Sequence, residues 1–304
     1  MILLERRTIY MGMLLLVTFF WGLTFPIVKF ALSYSSPDTF LAIRFLVASC
    51  VMAIFLRKGR NAFSLKNVRH GAIAGFLLFI GYYFQTVGLD YTSAADSGVI
   101  TGIYVVILPV LSYFYLKNRI SRVDVLATIV AFAGLIIMSL SSETTGSSLI
   151  GNVLTLICGV GYAVQIIYVS RHSRNIDSSA FTFYQLAFLT VFSAVVIPIS
   201  PGGIGGINLY VIFAAVFTAL VGSVFGYYIS TVALIYVEPT VAGIIFVCEP
   251  IFAAIASVTI GHESLGKLVI LGASIMVIAM FMTTVNNHLR EKRSNIPSTG
   301  MGDT

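Results

Sequence analysis

The amino-acid sequence predicts an all-α membrane protein, ten transmembrane helices built as two inverted five-helix repeats around a central cavity. Three observations lead there. The 304 residues are 58% hydrophobic and 10% charged, with a mean hydropathy of +0.97, which is not the composition of a water-soluble globule. The apolar residues fall into ten runs of membrane-crossing length, and Lys and Arg collect in alternate gaps between them. A stretch of the third run recurs in the eighth.

Ten crossings at about 20 residues each use roughly 200 positions, and the remainder is needed for loops and tails. No extramembrane domain fits. The formal charge of +6 is too dispersed to form a nucleic-acid groove. Cys50, Cys158 and Cys248 all lie inside apolar runs, with no spacing suited to a metal or a redox pair, and read as small core residues. His70, His172, His262 and His288 fall at loops or span ends. That leaves no midplane imidazole for haem or for intramembrane proteolysis, and no His-Glu-x-x-His. No metal, cofactor or enzymatic chemistry is expected.

The runs follow in order. Residues 9–32 are long enough to span and lack an Ala-x-Ala cleavage site, so they read as a retained span rather than a signal peptide. Runs at 38–56, 71–90, 96–116 and 124–140 complete a first repeat over 9–140. A second repeat over 150–285 holds runs at 150–170, 178–199, 208–235, 240–260 and 266–285. The break between the eighth and ninth runs rests on Glu238 and Pro239, an acid and a helix breaker between two very apolar stretches. Residues 1–8 and the polar tail 286–304 are read as cytoplasmic ends.

That orientation follows from the cations, which resist translocation. With both termini inside, the inner segments hold Arg6, Arg7, Arg57, Lys58, Arg60, Lys66, Arg69, Lys117, Arg119, Arg122, Arg171, Arg174, Arg290, Lys292 and Arg293, fifteen of eighteen. One span more or fewer would scramble the alternation. The expected location is the cell membrane, inner or plasma, crossed many times.

Gly81-Tyr82-Tyr83-Phe84-Gln85-Thr86-Val87-Gly88-Leu89-Asp90-Tyr91 matches Gly226-Tyr227-Tyr228-Ile229-Ser230-Thr231-Val232-Ala233-Leu234-Ile235-Tyr236 at seven of eleven positions. Pro109 in the fourth span similarly corresponds to Pro250 in the ninth. Five spans per repeat is odd, so the second copy starts on the opposite side of the membrane. Inverted repeats characteristically make transporters, because two related packings expose one central site to each side in turn.

The chain resembles the drug/metabolite transporter superfamily, in its ten-span EamA-like branch. The residues carrying the resemblance are Phe20-Trp21-Gly22 with Pro26, Arg44-Phe45, Tyr91-Thr92-Ser93-Ala94-Ala95 with Gly98 and Pro109, and Glu249-Pro250 with Gly261-His262-Glu263. The resemblance implies a membrane permease, often an exporter, whose cavity is enclosed by spans one to four and six to nine, with spans five and ten peripheral. It is broken in two places. Lys117-Asn118-Arg119 stands where the second half has Gly261-His262-Glu263, and Leu108 is the mate of Glu249.

A charge as deep as Glu249 costs on the order of 2.5–3.5 kcal/mol to insert, so Glu249 should face protein or water. It reads as a substrate or proton partner, or as a hydrogen-bond donor to backbone opened by Pro250. Arg44 could meet a substrate carboxylate, Glu249, or helix carbonyls, while Lys29 is a snorkelling end residue. Trp21 and Thr24, Tyr82 and Gln85, Tyr162 and Gln165, and Tyr227 and Ser230 are each three residues apart and share a helical face. They offer stacking area and hydrogen bonds suited to organic solutes. Tyr184 and Gln185 are secondary candidates. Pro26, Pro109 and Pro250 are candidate hinges. Gly71 with Gly75, Gly98 with Gly102 and Gly222 with Gly226 should permit close helix packing in a monomer or weak homodimer.

The function expected is secondary transport of small organic solutes (amino acids, metabolites or drugs) by alternating access, with export the favoured direction. No Walker loop ties the chain to ATP, so coupling would fall to protons or another ion. The alternatives are a passive facilitator or channel-like pore and, further off, an intramembrane enzyme. The partners are the solute and the lipid bilayer, with no nucleic acid.

Overall fold

A computed structural model describes residues 2–56, 63–92, 94–117, 120–139, 148–200, 203–261 and 266–294. The chain is helical almost throughout. Helices α1 (Ile2–Leu32), α2 (Pro37–Ile54) and α3 (Leu65–Tyr91) come first. The fourth crossing is divided into α4 (Ala94–Thr101) and α5 (Tyr104–Leu116), and α6 (Arg122–Ser139) follows. In the second half come α7 (Leu149–His172) and α8 (Ser178–Val196). The eighth crossing runs through α9 (Leu209–Phe217), a π-helical stretch at Thr218–Phe225, and α10 (Gly226–Tyr236). The ninth is divided into α11 (Pro239–Phe246) and α12 (Glu249–Gly261), and α13 (Lys267–Ser294) closes the bundle. Among the described residues, eight helical stretches have the length and hydropathy to cross a membrane. The remaining two helices, α6 and α13, pack against each other.

Local sequence explains the boundaries. Ser36, Ser64, Ser148, Asp177 and Asn208 each turn a side-chain oxygen onto a backbone N–H in the first turn of α2, α3, α7, α8 and α9, satisfying donors that a helix start leaves orphaned. Ser64 begins α3 six residues before the apolar run at residue 71, so Lys66 and Arg69 are helical. Extended Glu238 precedes Pro239, the first residue of α11, where a proline lacks no bond the helix needs. Pro250 is the second residue of α12, and the ninth crossing is interrupted immediately before it at Val247 and Cys248. Pro26 and Pro109 instead lie inside α1 and α5. The fourth crossing is interrupted at Gly102 and Ile103, six residues before Pro109.

The pairing of helices has the two-fold pattern of an inverted repeat. Crossing three packs on crossing six (α3 with α7), as one packs on eight (α1 with α10). Crossing three also packs on seven (α3 with α8), as eight packs on two (the π stretch with α2). Crossings two and seven, four and nine, and five and ten each meet their own mate. Glycines permit the closest approaches. A Cβ on Gly22 would lie 2.6 Å from Phe252 Cβ and 2.9 Å from the Glu249 carbonyl oxygen, so α1 lies directly against the backbone of α12. Gly71 and Gly75 do the same for α3 against Tyr184 and Gln185 of α8.

Candidate functional site

The two echoed Gly-Tyr pairs meet at the centre of the bundle. Tyr82 and Tyr227 are repeat mates, and their ring centroids are 6.0 Å apart. Mates that touch each other must flank the pseudo-two-fold axis. The glycine before each tyrosine makes room for an aromatic ring from the other repeat. A Cβ on Gly81 would lie 2.3 Å from the Tyr162 ring, and one on Gly226 would lie 2.6 Å from Trp21 Nε1. The indole and the phenol thus enter the axial region in equivalent ways, one from α1 and one from α7.

Around this centre is a cavity of about 40 Å³ lined from crossings one, three, four, six, eight and nine. Trp21, Thr24, Tyr82, Gln85, Tyr162, Tyr227 and Glu249 line it, joined by Tyr104, Ile166 and Phe246. Crossings five and ten contribute nothing to it among the described residues. Tyr162 donates to Gln85 Oε1 at 3.0 Å, and Gln85 Nε2 donates to Thr101 Oγ1 at 3.3 Å. Thr24 Oγ1 returns to the Trp21 carbonyl at 2.7 Å. The Trp21 ring packs 5.1 Å from Phe246 and 5.5 Å from Tyr227.

Glu249 begins α12, so its carboxylate sits at the positive end of that helix. It is 8% exposed and accepts a hydrogen bond from Tyr104 at 3.3 Å. Arg44 is 3% exposed and lies behind the cavity wall, on the far side of Tyr82. Its Nε donates to Ser223 Oγ at 3.1 Å and its Nη2 to the Tyr82 hydroxyl at 3.2 Å. The guanidinium carbon also lies 4.8 Å from the Tyr82 centroid and 5.3 Å from that of Phe45. Hydroxyls and ring faces, not a carboxylate, hold this cation among the described residues.

The π-helical stretch supplies two of these anchors. Its wider winding lets Ser223 Oγ donate to the Thr218 carbonyl five residues back, and Trp21 Nε1 takes the Gly222 carbonyl at 2.8 Å. Such windings concentrate at functional sites. The corresponding part of crossing three, in α3, is ordinary α-helix.

The remaining sequence candidates lie elsewhere. Gln165 Nε2 donates to Gln185 Oε1 at 3.5 Å between α7 and α8, outside the cavity lining. Ser230 is buried outside the cavity lining, and its Oγ has no hydrogen-bond partner among the described residues. The side chain of Tyr184 lies against Gly71. Ser93, Asn118, Arg119, His262 and Glu263 lie outside the described residues. Tyr104, Ile166, Phe246 and Ser223 were not singled out from the sequence, where aromatics and small polar residues inside apolar runs look like ordinary packing. The Thr101-Gly102 step just before Tyr104 was the one available signal.

Both ends of the cavity are covered. Toward the chain termini, Leu14, Leu234 and Val241 belong to one apolar cluster, and beyond it Tyr10 stacks on Tyr236 at 4.9 Å while Arg6 donates to the Tyr236 hydroxyl. Toward the opposite face, Phe25, Val28 and Leu89 form another cluster. There Lys29 Nζ donates to the carbonyls of Leu89 and Asp90 at 2.5 and 3.2 Å, and Ser148 N–H donates to the Tyr91 carbonyl at 3.0 Å. At about 10–15 Å³ per water, a cavity of about 40 Å³ holds a few waters and no organic solute.

The profile of the EamA-like transporter family matches residues 8–140 and 149–285. An uncharacterized transporter of Archaeoglobus fulgidus is 31% identical over 272 residues, covering 90% of this chain and 84% of the relative. The uncharacterized inner membrane transporter YedA of Escherichia coli is 24% identical over 294 residues, covering 91% of each. A protein of known crystal structure superposes with a TM-score of 0.76 at 16% identity, covering 93% of this chain and 97% of the other, which shows a common fold. The chain belongs to the EamA-like transporter family and is a multi-pass membrane transporter.

Proposed function

We propose that this EamA-like transporter carries small organic solutes, such as amino acids, metabolites or drugs, across the cell membrane by alternating access and works as an exporter with both termini in the cytoplasm. The reading is carried by one observation. The central cavity lies on the pseudo-two-fold axis, is lined by mates from both repeats, and is covered toward both faces. A site on that axis keeps its place while the surrounding helices exchange packings, which is the geometry alternating access needs. The covering clusters favour a carrier over an open pore. The breaks at Gly102–Ile103 and Val247–Cys248 lie beside the cavity, where a crossing can bend without rupturing a continuous helix. The cytoplasmic placement of the termini rests on the fifteen cations of the inner segments.

The test is flux in proteoliposomes of the purified chain. A carrier gives saturable uptake and counterflow, whereas a pore gives neither. Glu249 is proposed to bind a proton and the solute in turn. Glu249→Gln should then abolish the dependence of flux on an imposed pH gradient, and unchanged dependence removes Glu249 from that role.

A further inference from the structure

We infer that the chamber selects organic cations, and that Tyr82 makes it do so by screening the Arg44 guanidinium from the bound solute. This rests on the transport reading of the same site and narrows its solute to one charge class. The first observation is the lining, which among the described residues presents aromatic rings and one carboxylate, Glu249, and no Lys, Arg or His. Ring faces attract a cation and repel an anion. Among the described residues the carboxylate accepts from Tyr104 alone, which leaves acceptor capacity that an ammonium group, with three donors, would fill. An anionic solute would meet negative ring faces and a like charge, with no donor of positive charge in the wall.

The second observation concerns the cation nearby. Arg44 would reverse this preference if it reached the chamber, because its planar fork is suited to carboxylates. It does not reach. Its Nη2 donates to the Tyr82 hydroxyl, its Nε donates to Ser223, and the Tyr82 ring covers the guanidinium at 4.8 Å. Tyr82 lines the chamber and Arg44 does not. The tyrosine is therefore a partition. With it in place the chamber offers one carboxyl group and no cation. Without it, Arg44 and Glu249 would both face the solute and suit a zwitterion.

The experiment uses three probes with the same indole body and different charge, tryptamine (cation), tryptophan (zwitterion) and indole-3-propionate (anion), titrated against the full chain in lipid nanodiscs. Tryptamine should bind about tenfold or more tightly than either of the others. Glu249→Gln should weaken it by about tenfold. Tyr82→Phe, which keeps the ring, should retain the preference for tryptamine, and Tyr82→Leu should shift it toward tryptophan. Equal or tighter binding of tryptophan or indole-3-propionate to the unaltered protein overturns the inference, as does failure of tryptamine to bind at millimolar concentration. A folded Tyr82→Leu with unchanged preference overturns the partition. If Tyr82→Leu does not fold, the Glu249→Gln titration still decides, since undiminished tryptamine affinity there overturns the cation site. Counterflow of labelled tryptamine separates the two readings. Selective binding without exchange leaves cation selection standing and removes transport, whereas exchange of tryptophan but not tryptamine does the reverse.

Discussion

Gly81→Ala tests whether the axial glycines exist to admit rings from the other repeat. The added Cβ would stand 2.3 Å from Cε1 and 2.4 Å from Cδ1 of Tyr162. Unstrained carbon contacts begin at about 3.5 Å, so the ring must retreat by roughly 1.2 Å, and the cavity it would move into measures about 40 Å³. That displacement also stretches the 3.0 Å bond from Tyr162 to Gln85 beyond hydrogen-bonding range. Overpacking costs about 1–3 kcal/mol and the lost bond about 0.6 kcal/mol in a membrane interior. The gain in helix propensity from Gly to Ala offsets about 1 kcal/mol. The net expectation is destabilisation by about 0.6–2.6 kcal/mol, together with reduced solute flux. Gly98→Ala is the matched control, because its Cβ would meet Ala253 Cβ at 3.7 Å and Pro250 Cα at 3.8 Å, both ordinary contacts. It should be neutral or more stable by up to about 1 kcal/mol. Reversible unfolding in detergent micelles measures both. If Gly81→Ala is as stable as Gly98→Ala and transports normally, the close packing of Tyr162 on Gly81 does not govern the chamber.

Trp21→Phe keeps a ring against Phe246 and Tyr227 but removes the donor to the Gly222 carbonyl, and should lower stability by about 0.6–2 kcal/mol in the same unfolding measurement. Arg44→Lys loses the fork that reaches Ser223 and Tyr82 together, and an ammonium cannot reproduce both bonds; a loss of about 1.5–3 kcal/mol is expected. Lys29→Met removes the donor that joins α1 to the end of α3. In a protein without its native cysteines, Thr24→Cys should then react faster with a membrane-impermeant thiol reagent added from that face, and an unchanged rate would show that Lys29 does not help seal it.

Hydropathy and charge made the crossings legible because a bilayer imposes them one at a time: roughly twenty apolar residues, then a loop that keeps its cations on one side. Glu238 and Pro239 marked a true break for the same local reason, a ring-fixed φ at a helix start. The seven-in-eleven echo of Tyr82 and Tyr227 even located the axis, since mates on a two-fold must meet. What escaped reading depends on neighbours distant in sequence. Gln165 looked like a cavity amide, yet Gln185 on the adjoining helix satisfies it. Tyr104 became part of the site through Glu249, 145 residues away. Pro109, a candidate hinge in the sequence, lies inside α5, where it withholds the N–H that the Val105 carbonyl would otherwise accept, while the interruption of the crossing falls upstream at Gly102 and Ile103. The π winding of Thr218–Phe225 has no side-chain signature of its own, and the residues that bond to it, Arg44 and Trp21, lie on other helices.

The winding at Thr218–Phe225 occurs in one repeat and not in its mate, and this bears on the resting bias of the molecule. Exchanging the roles of the two halves would require α3 to loosen by an extra residue per turn where it has no Ser223 to steady it, or Thr218–Phe225 to tighten and surrender its hold on the indole and the guanidinium. Under the alternating access proposed above, the two orientations would therefore be unequal in free energy. Left without solute it should dwell facing one side, and the cargo's binding must supply the difference before the other door opens.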